Sequence, residues 1–249
     1  MRCAIISDIH ANREALEAVL AEIDSLRPDA LYCLGDLVGY NADPDFCVRV
    51  ILSRADAVVR GNHDKAVAGL LDLDWFNGTA REAALWTRGA VSAESMDALK
   101  SLGEGPRQAG EGILLCHGTP YDEDAYLLDQ GTMEKSFRCL DAEWPEIGFC
   151  FHGHTHSPLV ASRRRGEARI RMHTWQETTE LDEQSVYLVN PGSVGQPRDG
   201  IAMASFGILD TGRMVYTNRR APYRVRETQK KIVQAGLPHA LARRLAEGR

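Results

Sequence analysis

The residues with chemical reach fall in five short clusters: Asp8-Ile9-His10, Gly35-Asp36, Gly61-Asn62-His63-Asp64, His117-Gly118 and Gly153-His154-Thr155-His156. Of the eight histidines, six (His10, His63, His117, His152, His154 and His156) lie in or beside these clusters, and only His173 and His239 lie elsewhere. Histidines with unrelated surface or core purposes would scatter. Imidazole, carboxylate and one amide oxygen make a donor set for Mn, Fe, Zn, Co or Ni, whereas Ca and Mg favour oxygen throughout. Asp36 can bridge two ions because a carboxylate has two oxygens. Two ions about 3.5 Å apart would clamp a phosphate and sharpen a bridging water into hydroxide. Taken alone, Asp8 and His10 leave two readings open. At the carboxyl end of a strand, residues two apart lean to one side and form half of a metal site. Equally, Asp8 could cap a helix beside a surface histidine.

The elements that position these clusters are legible from periodicity. Cys3 to Ile6 is a short apolar run and predicts a buried strand. A helix follows, with Asn12 as N-cap and Leu16, Val19, Leu20 and Ile23 on one face. Ala30 to Leu34 predicts a second strand, ending at Gly35-Asp36. Asp43-Pro44 opens another helix, and a third strand, Asp56 to Val59, runs into the Asn62-His63 cluster. Gly112 to Cys116 and Ile147 to Phe151 are further strands, each ending in a histidine cluster, with a helix marked by Met133, Phe137 and Leu140 between them. Alternating strands and helices build a parallel sheet, and α/β folds place their sites at its carboxyl edge.

From Leu159 onward the pattern is antiparallel: Leu159 to Arg163, Ala168 to His173, Val186 to Val189, Met203 to Leu209 and Met214 to Asn218, with a hairpin turn at Asp210-Thr211-Gly212. Residues from about 65 to 110 read as a helical insertion, with patches at Thr79 to Thr87 and Ser92 to Leu102. The tail from about Arg224 reads as two short helices separated by Gly236-Leu237-Pro238. No repeat or linker demands a second domain, so residues 1–249 are expected to form one.

Composition sets the outer bounds. A chain of 249 residues that is 44% hydrophobic and 26% charged has material for a packed core. A net charge of -6 argues against bulk nucleic-acid binding, though not against a phosphate substrate, since bound cations supply local positive charge. No apolar run of membrane-spanning length occurs and Met1 leads straight into a strand, so no membrane partner and a cytoplasmic location are expected. Cys3, Cys33, Cys47, Cys116, Cys139 and Cys150 include no Cys-x-x-Cys pair and read as reduced core thiols.

The ordered motifs D-x-H, GD, GNH[DE], H-G and GHTH, spread over about residues 3–160, resemble those of the calcineurin-like metallophosphoesterases. The resemblance implies an α/β fold, a four-layer αββα sandwich of two mixed β-sheets flanked by helices. It implies two divalent ions, with Mn first and Fe, Zn, Ni or Co as alternatives. One ion would be held by Asp8, His10, Asp36 and His156, the other by Asp36, Asn62, His117 and His154. His63 would stand beside the phosphate as general acid or charge donor, not as a ligand. The implied reaction is in-line attack of a metal-bridging hydroxide on a small phosphorylated substrate.

The second motif reads Gly35-Asp36-Leu37-Val38-Gly39-Tyr40-Asn41. Protein Ser/Thr phosphatases and symmetrical dinucleoside tetraphosphatases have G-D-x-V-D-R-G there, and the Asp-Arg pair is missing. The chain is closer to the small prokaryotic phosphodiesterase branch, where a run like Asn190 to Arg198 forms a turn near the site. Arg198 would bind a phosphate oxygen, beside Asn62, or be a surface loop arginine. His152 reads as a core or supporting histidine and Asp64 as a turn or cap residue. Arg163-Arg164-Arg165 reads as a solvated hairpin tip. Trp75 and Phe76 read as core or cap packing, with an aromatic platform for a base as the alternative. The rivals to a phosphodiesterase are a phosphomonoesterase or nucleoside polyphosphate hydrolase and, in another class, a non-catalytic protein-binding scaffold on the same fold. The sequence carries no signal for oligomeric state.

Overall fold

A computed structural model describes residues 1–173 and 178–249. The architecture follows from strand β1 (Arg2–Ile6). Cys3 and Ile5 face one core while Ala4 and Ile6 face another, and all four are fully buried. A strand covered on both faces needs apolar residues throughout, which explains the unbroken run.

Two sheets of six strands each pack face to face. The first runs β3 (Ala57–Val58), β2 (Ala30–Cys33), β1, β11 (Ala204–Asp210), β12 (Val215–Ala221) and β9 (Thr178–Glu180). Strands β1, β2 and β3 are parallel and the rest pair antiparallel. The second runs β4 (Arg107–Gln108), β5 (Ile113–Leu115), β6 (Phe149–Phe151), β10 (Ser185–Asn190), β7 (Leu159–Arg164) and β8 (Ile170–Met172). Here β5, β6 and β10 are parallel. Ile5, Leu34 and Val59 from the first sheet meet Leu115, Phe151 and Val189 from the second in the inner core.

Helices cover the outer faces. Helix α1 (Arg13–Leu26) lays Leu16, Val19 and Ile23 on Ala4, Ile6 and Phe206. On the other side α6 (Gln130–Glu143) lays Met133, Phe137 and Leu140 on Leu114, Cys150 and Leu188. This is the expected four-layer αββα sandwich. Helix α2 (Pro44–Arg54) packs beside α1, and α3 (Asn62–Ala68) starts inside the third cluster. The insertion holds α4 (Gly78–Ala90) and α5 (Ala93–Ser101). The tail forms α7 (Val225–Gln234) and α8 (His239–Glu247), whose Ile232, Leu241 and Leu245 pack with Tyr40, Ala80 and Ala83.

Two expectations need correction. The stretch read as a helical insertion to about 110 ends in strand β4, which pairs with β5. Arg163 is no solvated tip: it lies inside β7, 9% exposed, ion-paired with Asp141 and over the Phe137 ring at 5.0 Å. Strand alternation turns that guanidinium onto α6 while Arg164 and Arg165 remain exposed. All six cysteines are buried and free.

Candidate metal centre

Register brings the clusters together. Ile6 pairs with Cys33 and Cys33 with Val58, so β1, β2 and β3 end level. Leu115 pairs with Phe151 in the second sheet. The loops after these strands share one edge of the sandwich. β1 stops at Ile6, so strand alternation does not align Asp8 and His10. Left-handed backbone does: Asp8 has φ 53°, His10 48°, Asp36 53°, His154 64° and His156 61°. Non-glycine residues there cost about 1–3 kcal/mol each and persist only where the surroundings fix them. Here the Asp8 amide donates to the Gly35 carbonyl at 3.0 Å and the His10 amide to the Asp36 carbonyl at 2.8 Å. The loop after β10 adds the Gly195 amide and the Ser193 hydroxyl, both donating to the Asp8 carbonyl.

Two donor groups result. Asp8, His10, Asp36 and His156 offer one ligand atom each within 4.8 Å of one another, and so do Asp36, His117 and His154. The amide oxygen of Asn62 lies 3.1 Å from His117 Nε2 and so borders the second group. Tautomers follow from the outer partners. His10 Nδ1 faces the Val38 carbonyl at 3.0 Å, His117 Nδ1 that of Leu34 at 2.8 Å, and His156 Nδ1 that of Gln196 at 2.6 Å. A carbonyl only accepts, so each Nδ1 donates and each Nε2 is left as the ligand atom. For His154 the order is reversed: Nε2 meets the Asp124 carbonyl at 3.1 Å and Nδ1 is left.

His10 Nε2 and His156 Nε2 stand 3.1 Å apart with lone pairs facing. Both outer nitrogens already donate, so neither imidazole holds a hydrogen for the other, and a cation between them satisfies both. Asp36 Oδ2 is buried with no hydrogen-bond partner, 3.5 Å from both His10 Nε2 and His117 Nε2. Asp36 Oδ1 already accepts the His63 amide at 2.8 Å. Asp36 Oδ2, the oxygen left without a hydrogen bond, is the atom common to both donor groups. The donor set fits divalent ions of the Mn, Fe, Zn, Ni and Co class.

Electrostatics agree. Burial pushes His10, His154 and His156 well below the usual imidazole range, so all three are neutral at pH 7. Burial lifts the Asp8 carboxyl to about 6 against the pull of His117. Burial opposes charge on His117 and Asp36 too, but their attraction outweighs it. His117 rises to about 10 and Asp36 is held well below the carboxylate range, an ion pair in which the His117 Nε2 proton must leave before that nitrogen can act as a ligand.

The remaining candidates surround the groups. His63 is 3% exposed, its ring 4.8 Å from that of His10 and 4.4 Å from that of Tyr40. Its Nδ1 has no partner, and burial lowers its pKa to about 4. Asp64 is a cap: Oδ2 accepts the Gly61 amide at 3.0 Å, and Oδ1 accepts those of Leu37 and Val38 at 2.8 and 3.2 Å. Gly61 is required because a Cβ there would stand 2.0 Å from Asp36 Oδ1. His152 is fully buried, and its Nδ1 lies 3.4 Å from Asn190 Nδ2. Arg198 is half-buried and donates to Tyr40 Oη at 3.2 Å and Gln196 Oε1 at 3.3 Å. Phe76 meets His63 edge-on at 4.8 Å, whereas Trp75 is 84% exposed, so only Phe76 packs inward. Tyr40 and Tyr126 were not among the residues singled out from the sequence. Tyr126 stacks on His154 with ring centroids 3.7 Å apart.

Comparison with known proteins places this arrangement. Residues 1–214 match the family model of the calcineurin-like phosphoesterase superfamily domain. An uncharacterized protein of Methanocaldococcus jannaschii is 37% identical over 249 residues, covering 99% of this chain and 98% of that one. The crystal structure of a metallophosphoesterase from Sphaerobacter thermophilus superposes with a TM-score of 0.84 at 38% identity, covering 100% of this chain and 99% of that one. A hypothetical protein from Pyrococcus horikoshii superposes with a TM-score of 0.78 at 18% identity, over 100% of this chain and 98% of its own, a likeness of fold.

Proposed function

Because the chain belongs to the calcineurin-like phosphoesterase superfamily, metal-dependent hydrolases of phosphate esters, we propose that it is a two-metal phosphodiesterase. The observation that carries this is the paired donor groups sharing Asp36 Oδ2, with each histidine tautomer set by a backbone carbonyl. Asp8, His10, Asp36 and His156 would hold one ion, and Asp36, Asn62, His117 and His154 the other, with Mn as the first candidate. When bound, the ions neutralise phosphate oxygens and acidify water.

The chain's own residues supply the rest. His63 faces the leaving oxygen and donates a proton or a hydrogen bond to it. Arg198, whose buried Nε has no partner, binds a phosphate oxygen, and Asn62 orients the same group. The cavity beside the cluster, lined by Asp122 and Asp124 and, among the described residues, by no lysine or arginine, has room for an uncharged ester substituent next to the phosphate, which favours the diester. A protein-binding scaffold has no need of seven donor residues with fixed tautomers. A cytoplasmic location belongs to this reading and rests on six unpaired cysteines. Among the described residues no helix is long and apolar enough to cross a membrane.

Initial rates on bis(4-nitrophenyl) phosphate and 4-nitrophenyl phosphate with added Mn test the proposal. A higher kcat/KM is expected for the diester. A higher value for the monoester overturns the diester assignment. Inactivity with Mn, Fe, Zn, Ni and Co overturns hydrolysis and favours the scaffold.

A further inference from the structure

We propose that the cavity beside the metal cluster is a seat for an uncharged planar ring bearing hydrogen-bond donors, as in a nucleoside, held by Trp75 and Tyr126. The proposal rests on the phosphoesterase reading, which puts the phosphate at the cluster. The cavity measures about 530 Å³, ample for a nucleoside, and Asn62, His63 and His154 line it. A group seated there is therefore continuous with the phosphate.

Its aromatic lining is not used up by the fold. Phe76 and Tyr40 pack on His63. Tyr126 covers His154 with one face and remains 45% exposed. Trp75 is 84% exposed, an extent that no packing role explains. Both line the same cavity, and stacking on aromatic rings tolerates any base.

Charge selects what kind of ring. Among the described residues no lysine or arginine lines the cavity, while Asp122 and Asp124 do. Lys65 is bound by Glu123 at 2.9 Å and by Asp124 Oδ2 at 2.5 Å, which leaves Asp124 Oδ1 buried without a partner. A second phosphate would meet carboxylates. An amino or ring N–H group would meet an acceptor. The lining thus selects a nucleoside over a polyphosphate chain.

AMP and ribose 5-phosphate share the phosphate and its C5′ oxygen and differ by the base. Each is titrated as a competitor against bis(4-nitrophenyl) phosphate with the Mn-loaded chain. AMP is expected to inhibit about tenfold more strongly, and Trp75→Ala and Tyr126→Leu each to remove most of that preference. Equal inhibition by the two compounds, or a preference undiminished in both variants, overturns the seat. A second readout needs no turnover. Adenosine titrated into the metal-free chain is expected to quench tryptophan emission, and Trp75→Phe to lose the response; no quenching in the parent chain also overturns the seat. If bis(4-nitrophenyl) phosphate is not hydrolysed with any of the five metals, the phosphoesterase reading fails instead, and the adenosine titration still decides the seat.

Discussion

His63 is held in place by its neighbours. Its amide is fixed on Asp36 Oδ1, and its ring sits against Tyr40 and Phe76. His63→Gln is expected to keep full metal content by elemental analysis and to lose about 10²-fold in turnover; loss of metal would make it a ligand. Gly39 is the reason the ring fits. Its φ is +90°, and a Cβ there would stand 2.5 Å from His63 Nδ1. Gly39→Ala should therefore displace His63 and lower turnover without releasing metal, and unchanged kinetics would contradict this contact. Ligand residue types were legible in the sequence because they are rare and clustered. Their orientation was not. The carbonyls of Leu34, Val38, Gln196 and Asp124 fix the tautomers, and a carbonyl carries no side-chain signature. Arg198 was undecided between surface and site for a related reason: its partner Tyr40 lies 158 residues away.

At the scale of elements, the three parallel strands of the first sheet were legible from apolar runs with polar ends. The short polar strands β4 and β9 were not, because pairing with a neighbour alone makes them strands. Asp43 shows the same limit. It precedes Pro44 as an N-cap should, yet its side chain makes no cap bond and instead accepts from Lys231 at 2.7 Å. Lys231 on α7 also reaches Glu14 on α1 at 2.6 Å, tying three helices beside the site. Burial works against the Glu14 charge, but Lys231 outweighs it and lowers the carboxyl below its usual range. A lowered carboxyl stabilises fully above the unfolded value of about 4.3 and loses that contribution as pH falls through the folded value. Lys231→Met is expected to cost about 1–2 kcal/mol at pH 7 in denaturant melts. The gap to the parent chain should narrow below about pH 4; a gap constant from pH 7 to 3 would rule out this linkage.

The whole molecule draws the site from both sheets. Asp8, His10, Asp36, Asn62 and His63 follow strands of the first, while His117, His154 and His156 follow strands of the second. We take residues 1–249 as one cooperative unit, because α7 and α8 close over Tyr40 and α4. Leu241 is fully buried in that contact. Leu241→Ala is expected to cost about 2–5 kcal/mol and to shift a single transition followed by circular dichroism and by tryptophan emission alike. Two separated transitions would divide the chain. The central claim is that the two sheets together would hold two ions, with Asp36 common to both. Equilibrium Mn titration with elemental analysis of the parent chain and Asp36→Asn tests it most directly. The account predicts two ions per parent chain, with both weakened in the variant and most diesterase activity lost. A parent chain that binds one ion, or a variant that binds two and remains fully active, would contradict it.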